Sequence, residues 1–263
     1  MKAAWRWLVL VVMAGLLLQL FFVARIAAML VIDPQSTAFE RSEAWRVTTE
    51  KGDLRWRQQW TPYDKISDKL KRAVIASEDD GFVNHDGVDW NALEKAWQKN
   101  ARAEDQLAKA QARDATKATR NPPKPAAKPA APAPAKPARA PKVVGGSTIT
   151  QQLAKNLFLS GERTLLRKGQ EFVLTLLLEA LLDKQRILEI YLNSVEWGEG
   201  VFGAEAAAQH YYRKPAAQLS TYEAARLAVM LPRPKYFEKL PNSSYVAGRA
   251  ETIARRLESA ELP

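Results

Sequence analysis

The sequence contains no cysteine in 263 residues. A disulfide framework and a thiolate zinc site are therefore excluded. Strict alternation of apolar and polar residues, the pattern of a half-buried strand, is also missing, so the chain is predicted to be mainly α. With 47% apolar residues, the chain is long enough for one membrane anchor and one domain with a proper core, but hardly for two catalytic domains.

The positive charge is concentrated in one tract. The formal net charge is +10, and residues 101–142 hold six Lys, four Arg, two Asp and one Glu, a net charge of +7. Eight of the 15 prolines fall there as well. Because this composition has too little apolar surface to offset its ordering entropy, we predict a disordered insertion. Two roles are open for this tract: it either extends towards anionic lipid headgroups and cell-wall polymers, or it is a neutral expansion of a loop. No nucleic-acid partner is expected.

An uncharged apolar run predicts a membrane anchor. It extends over 18 residues from Trp7 to Ala24 and is interrupted by Gln19. At 1.5 Å per residue it measures about 27 Å, close to the thickness of a hydrocarbon core. Lys2 and Arg6 precede it, so the N-terminus should stay cytoplasmic and the remainder be exported. No clear small-x-small site follows, which favours an uncleaved anchor over a signal peptide.

The insertion divides the globular part in two. We predict a cytoplasmic tip and transmembrane helix over 1–32, a first domain part over 33–100, the insertion over 101–142 and a second domain part over 143–263. The entry segment, residues 33–72, carries no chemistry of its own, and a helix is predicted from Asp89 to Asn100. The helical spacing of Leu70 and Val74 leads into Glu78, which places that carboxylate at or near a helix end.

Four motifs follow one another along the globular part. They read EDDGFVNHDG at 78–87, GGSTITQQLAKN at 145–156, RTLLRKGQE at 163–171 and KQRILEIYLN at 184–193. In these motifs the chain resembles the peptidoglycan glycosyltransferases of family 51, which polymerise lipid II into glycan strands. The resemblance spans residues 35 to 235 or so and is broken only by the insertion.

The resemblance implies a lysozyme-like helical domain after one transmembrane helix, with the domain on the periplasmic side of the bacterial cytoplasmic (inner) membrane. Lipid II and the growing glycan strand are the implied substrates, and cell-division or cell-wall synthesis proteins are further expected partners. No cofactor is required, while a divalent Mg or Mn ion at the pyrophosphate is left open. The enzyme should be monofunctional, since no Ser-x-x-Lys motif occurs and no room follows Pro263 for a transpeptidase domain.

Glycosyl transfer without a nucleotide needs a carboxylate to deprotonate the attacking hydroxyl and cations to stabilise the departing pyrophosphate. By resemblance, Glu78 is the catalytic base and Glu171 is the second catalytic glutamate, assisting at the donor. Lys155 and Arg163 match the phosphate-binding cations of the family. The other predicted substrate-binding residues are Arg167, Lys168, Ser147, Thr148, Gln151, Gln152 and Asn156, and the predicted supporting residues are Asp79, Phe82, His85, Gly87, Tyr191 and Asn193.

Several of these residues have a structural interpretation as well. Arg163, Arg167 and Glu171 at i, i+4 and i+8 match a surface ladder worth about 0.3–0.5 kcal/mol per pair. However, Glu171 opens a buried apolar run, where an acid must be paired or have a perturbed pKa. His85 is open between a structural hydrogen bond and a substrate contact. Tyr191 and Asn193 are candidates for sugar contacts, although shaping of the groove wall is favoured for their motif.

The caps of the second motif are also predicted. Gly145 and Gly146 allow a tight turn, after which Ser147 and Thr148 cap a helix. A helix N-terminus followed by amide and ammonium donors suits a phosphate-linked sugar.

Two other functions remain open on the sequence alone. A lytic, lysozyme-like enzyme also uses two glutamates in a helical fold. A neutral glycosidic bond, however, gives no reason for Lys155, Arg163 and Arg167 to cluster near the acids. A non-catalytic membrane protein whose basic tract spans the periplasm would explain that tract and none of the motifs.

Overall fold

The computed structural model describes residues 2–53, 55–120, 146–159, 161, 164–240 and 242–263, with the backbone alone for 110–120. In this part of the chain the helices are α1 Lys2–Ala28, α2 Ala38–Lys51, α3 Asp68–Glu78, α4 Trp90–Arg120, α5 Ile149–Phe158, α6 Leu165–Leu181, α7 Lys184–Ser194, α8 Ala204–Tyr212, α9 Thr221–Met230, α10 Pro234–Glu238 and α11 Ser244–Arg256. The strands are β1 Arg57–Gln58, β2 Glu196–Gly198 and β3 Val201–Phe202. The predicted mainly helical fold is confirmed.

The three strands form a small sheet of order β1-β3-β2. β1 runs parallel to β3, and β2 runs antiparallel to it. Strands this short show no alternation, which is why the sequence did not indicate them. The chain divides into two compact units, one of residues 1–88 and 147–263 and one of residues 89–146.

The anchor helix α1 is long and apolar enough to cross a membrane. Its last turns pack on the rest of the larger unit, to which α1 itself belongs, and Phe22 and Ile26 are buried there. Phe22 meets Phe158 edge-on, with ring centroids 5.4 Å apart. Gln19 and Gln170 exchange two amide hydrogen bonds of 2.9 and 3.3 Å. The polar interruption of the apolar run is therefore a contact between α1 and α6.

The helix α4 continues past its predicted end at Asn100 to Arg120. The first half of the predicted disordered insertion, 101–142, is therefore helical, and that part of the prediction is wrong. Ala, Gln, Lys and Arg predominate in this stretch, and Gly and Pro do not occur in it. These residues favour a helix, and Asp105 and Lys109 add an i,i+4 ion pair of 2.7 Å. The rest of the insertion lies outside the described residues.

The helix α2 arises in the predicted entry segment and was missed. Thr37 and Glu40 form a capping box at its start. The N–H of Glu40 donates to Thr37 Oγ1 at 3.0 Å, and the N–H of Thr37 donates to Glu40 Oε2 at 2.8 Å. Gly52, in the left-handed region, ends it. The spacing of Thr37 and Glu40 was the available sequence signal. The helix brings Phe39 and Ser42 to the cavity described below.

The helices of the second, third and fourth motifs, α5, α6 and α7, pack on one another. α5 lies against α6 and α7, and α3 lies against α9 and α11. The buried side chains of Leu70, Val74 and Ile75 hold α3 in the core, so its last residue, Glu78, stands at the helix end as predicted.

Gly87 locks the turn after α3 onto α6. Its φ is +82°, and an added Cβ would lie 2.7 Å from Thr175 Cγ2 and 2.8 Å from Glu179 Cγ. Its carbonyl accepts a hydrogen bond of 2.6 Å from Thr148 Oγ1. Glycine alone satisfies both the backbone angle and the close approach.

Gly87→Ala is expected to destabilise the fold by about 1–3 kcal/mol, through the positive φ and the two overlaps. Chemical unfolding of the detergent-solubilised protein measures it. Gly169→Ala is the matched control, because nothing lies within 4 Å of its added Cβ on α6. That variant should gain about 0.5–1 kcal/mol. Equal unfolding midpoints for Gly87→Ala and the parent would contradict the locking role of Gly87.

Candidate active site

The carboxylate of Glu78 is held by α5. Gln152 Nε2 donates to Glu78 Oε2 at 3.1 Å, and Gln152 Oε1 accepts from the hydroxyl of buried Tyr191 at 3.0 Å. Burial raises the pKa of Glu78, hydrogen bonds from Gln152 and Ser77 oppose the increase, and nearby Asp79 adds to it. A partly exposed carboxylate with a raised pKa is suited to accept a proton.

Asp79 joins the first motif to the second. Its Oδ2 accepts a hydrogen bond of 2.9 Å from the backbone N–H of Ile149, the first residue of α5. Its Oδ1 lies 2.9 Å from His85 Nε2, which must carry the proton because the carboxylate only accepts. The carbonyl of His85 accepts from Lys184 Nζ, which also lies over the ring of buried Phe82. Of the two roles open for His85, the structure shows the structural hydrogen bond.

The cap of α5 is Thr148. Its Oγ1 accepts from the N–H of Gln151, and the side chain of Gln151 accepts from the N–H of Thr148, each at 3.2 Å. Ser147, predicted to share the capping role, lies one residue earlier on the wall of a cavity.

This cavity of about 360 Å³ is bordered by α2, α5 and α6. Its lining residues are Phe39, Ser42, Ser147, Gln151, Gln152, Lys155, Asn156, Leu159, Gly161, Arg167, Lys168 and Glu171. Most of the predicted substrate-binding residues are thus brought together, and Glu78 touches the lining through Gln152. Phe39, Ser42, Leu159 and Gly161 were not predicted.

Glu171 is buried and ion-paired. Arg167 Nη1 lies 3.1 Å from its Oε2, and Lys168 Nζ contacts its Oε1. The prediction that a buried acid at this position must be paired or have a shifted pKa is confirmed through the pairing.

Lys155 faces the same cavity. Within the described ranges it has neither an ion pair nor a side-chain hydrogen bond. Desolvation lowers the pKa of Lys155. The negative charge of Glu171 opposes this decrease, and the positive charges of Arg167 and Lys168 lower the pKa further. Because these cations repel one another, an incoming anion would relieve the repulsion, and the cavity suits a phosphate group.

Arg163 lies outside the described residues. The helix α6 begins at Leu165 with Thr164 as its N-cap, and within it Arg167 and Glu171 form the i,i+4 pair of the predicted ladder. Thr164 Oγ1 accepts from the N–H of Arg167 at 3.2 Å, which caps the start of α6.

Tyr191 and Asn193 are buried, which agrees with the supporting role predicted for them and with the structural role favoured for their motif over sugar contacts. Asn193 Oδ1 accepts from the N–H of Thr61 at 2.8 Å, and its Nδ2 donates to the carbonyl of Thr61 at 2.9 Å. The hydroxyl of Tyr191 is engaged by Gln152. Both side chains are thus occupied inside the domain.

The described residues contain no group of three or more His, Asp or Glu side chains placed to hold a metal ion. A divalent cation at the pyrophosphate therefore stays a prediction.

Comparison with known proteins matches the same segments. The model of the transglycosylase family matches residues 46–109 and 131–258, with its gap inside the basic tract. A biosynthetic peptidoglycan transglycosylase of Burkholderia thailandensis is 52% identical over 250 residues, covering 95% of this chain and 84% of the relative. The transglycosylase of Burkholderia pseudomallei is 50% identical over 262 residues, covering 98% of this chain and 88% of the relative. That of Paraburkholderia phytofirmans is 46% identical over 262 residues, covering 98% of this chain and 94% of the relative.

The raised pKa of Glu78 predicts a pH-dependent stability. The folded state keeps a proton at pH values where the unfolded chain has lost it, so stability falls as pH rises from the ordinary pKa of 4.5 through the raised one. Glu78→Gln has no charge to desolvate and can still accept from Gln152. It is expected to unfold at a higher temperature than the parent at neutral pH, with a difference that shrinks in acid.

Thermal unfolding in detergent from about pH 4 to pH 8 measures this difference. The control is Glu251→Gln, the same change at an exposed position of α11, which should show no such gain. Identical melting temperatures for Glu78→Gln and the parent at neutral pH would contradict the desolvation of Glu78.

Proposed function

Because the chain belongs to the transglycosylase family and is a peptidoglycan glycosyltransferase, we propose that it polymerises lipid II into β-1,4-linked glycan strands with release of undecaprenyl pyrophosphate. One observation carries the proposal: α5 connects a carboxylate with a raised pKa to an anion-binding cavity. Gln152 contacts Glu78, and Lys155, about one turn further along, lines the cavity. Family membership sets aside the lytic and the non-catalytic alternatives.

In the proposed reaction, Glu78 takes the proton from the 4-hydroxyl of the acceptor GlcNAc. The hydroxyl oxygen attacks the anomeric carbon of the donor's terminal MurNAc with inversion, and the bond from that carbon to the pyrophosphate oxygen breaks. The electron pair leaves with the pyrophosphate. The raised pKa of Glu78 moves the base closer to the working pH, which favours proton transfer in the transition state.

Lys155 is assigned to the departing pyrophosphate. Its ammonium faces the cavity, and the increase in negative charge on the leaving group strengthens a charge-assisted contact. Glu171 is assigned to the donor side, where its ion pairs hold Arg167 and Lys168 at the cavity wall. Arg163, which matches the family's third motif, is retained as a second phosphate-binding cation.

The surface around the cavity supports a position at the membrane face. The first residues of α6, Leu165 and Leu166, are 93% and 88% exposed. They belong to the helix against which α1 is docked through Gln170. Exposed apolar residues beside a spanning helix suit a lipid environment. We place the domain on the periplasmic side of the inner membrane, where cell-wall synthesis proteins remain expected partners.

Glu78→Gln is expected to lower polymerisation of labelled lipid II by about 10²–10⁴-fold, the effect of removing a general base. The assay incubates detergent-solubilised protein with labelled lipid II and measures the polymer formed. Glu251→Gln should polymerise like the parent. A Glu78→Gln enzyme within a few-fold of the parent would refute the assignment of the base.

Lys155→Ala is expected to weaken binding of a pyrophosphate-bearing lipid analogue by roughly 10- to 100-fold, since one charge-assisted contact of about 1.5–3 kcal/mol is lost. Lys69→Ala, at an exposed position on α3, is the matched control and should bind like the parent. Equal affinities for Lys155→Ala and the parent would return Lys155 to the role of a surface cation.

A further inference from the structure

A second cleft, of about 550 Å³, lies at the C-terminal end of α2. We call it the distal cleft and define it by Lys51, Arg57, Glu199, His210, Glu238 and Lys239, all of which line it. It is larger than the cavity at α5 and α6 and shares no lining residue with it. The catalytic chemistry described above does not use it.

The two glutamates that define the distal cleft are already satisfied. Glu199 contacts Lys51 Nζ and lies 3.2 Å from Arg46 Nη2. Glu238 accepts from His210 Nε2 at 3.1 Å and from the backbone N–H of Glu199 at 2.9 Å. Glu199 is thus balanced by cations, whereas Glu238 is bound only by a histidine and a backbone N–H and keeps its negative charge. Asp53 and Arg55, which also line the cleft, form an ion pair of 3.1 Å.

Arg57 and Lys239 have no ion-pair partner in the described part of the chain, and against the single charge of Glu238 they leave the cleft net positive. Arg57 Nη1 lies 3.1 Å from His210 Nδ1. Since a guanidinium only donates, Nδ1 must accept, and the ring proton sits on Nε2 towards Glu238. His210 is then neutral and orients Arg57 without compensating its charge. Lys239 has no ion-pair partner in the described part of the chain. Both cations are exposed to solvent.

The backbone that presents Arg57 is rigidly held. Its N–H donates to the carbonyl of Gly200 at 2.8 Å, and its strand pairs with β3 at Val201. Gly200 has φ +72°, and an added Cβ would lie 2.0 Å from the carbonyl oxygen of Arg55. A guanidinium presented from such a fixed backbone is well placed for a planar, bidentate anion such as a carboxylate.

The two cavities are connected along α2. Ser42 lines the catalytic cavity, and Lys51, nine residues later on the same helix, lines the distal cleft. Nine residues of helix span about 13.5 Å. An extended peptide of five residues spans up to roughly 17 Å. A peptide attached to a sugar in the catalytic cavity is therefore long enough to reach the distal cleft.

We propose that the distal cleft binds the carboxylates of the peptide stem that peptidoglycan carries on its sugars, with Arg57 and Lys239 as the binding cations. The inference rests on the proposed function, because it takes the sugar in the catalytic cavity to be that of a stem-bearing substrate. Binding of the stem at this cleft would help to hold the sugar strand in register with Glu78.

The test measures binding of soluble N-acetylmuramyl pentapeptide to the full-length protein in detergent by titration calorimetry. Arg57→Gln is expected to weaken binding about tenfold or more, as loss of a charge-assisted contact does. The pentapeptide with its carboxylates converted to amides should lose affinity similarly. Arg57→Lys, which keeps the charge but not the planar fork, should fall in between. Arg249→Gln, the same loss of charge at an exposed position on α11, should bind like the parent.

Two results would overturn the inference. Absence of pentapeptide binding to the parent would show that the cleft takes no stem. Binding that Lys155→Ala weakens and Arg57→Gln leaves unchanged would locate the pentapeptide in the catalytic cavity. Polymerisation of lipid II by the parent, assayed in parallel, keeps the two proposals separate: polymer without pentapeptide binding removes the distal-cleft inference alone, and absence of polymer removes the proposed function.

Discussion

The buried carboxylate of Asp79 is the contact on which the arrangement of the site depends. Its two oxygens are divided between the N–H of Ile149 at the start of α5 and the ring of His85. A negative charge is favoured at a helix N-terminus, where the first N–H groups have no partner within the helix. The residue that follows the proposed base therefore fixes the helix that carries Gln152 and Lys155. The spacing between base and anion cavity follows from this one buried contact.

Two glutamates, one on α3 and one on α6, have different surroundings. Glu78 receives neutral hydrogen bonds and has a raised pKa, which keeps it available for a proton. Glu171 forms ion pairs with Arg167 and Lys168. In the proposed mechanism, the same functional group thus serves as the proton acceptor at one position and as an electrostatic clamp at the other, because the partners differ.

The sequence predicted those features that depend on neighbours along the chain. The cap at Thr148, the helix end at Glu78 and the pairing of Glu171 all follow from local spacing. The roles of Tyr191 and Asn193 depend on partners that lie far away in sequence, so their motif indicated importance without indicating burial. The capping box that begins α2 was overlooked, and with it Phe39 and Ser42. The helix beyond Asn100 was missed because the composition of the whole tract was averaged, although its prolines lie only in the second half.

The membrane anchor is tied to the same helix as the second glutamate. Gln170 bonds to Gln19 of the anchor, and the next residue, Glu171, lines the catalytic cavity. Consecutive residues of a helix point about 100° apart, so α6 faces the anchor on one side and the cavity on the adjacent side. An unpaired amide is costly in hydrocarbon, and Gln19 is satisfied only when α1 is docked in this register. In the proposed function, the depth at which α1 sits in the bilayer therefore determines how far the cavity lies from the lipid to which the donor is attached.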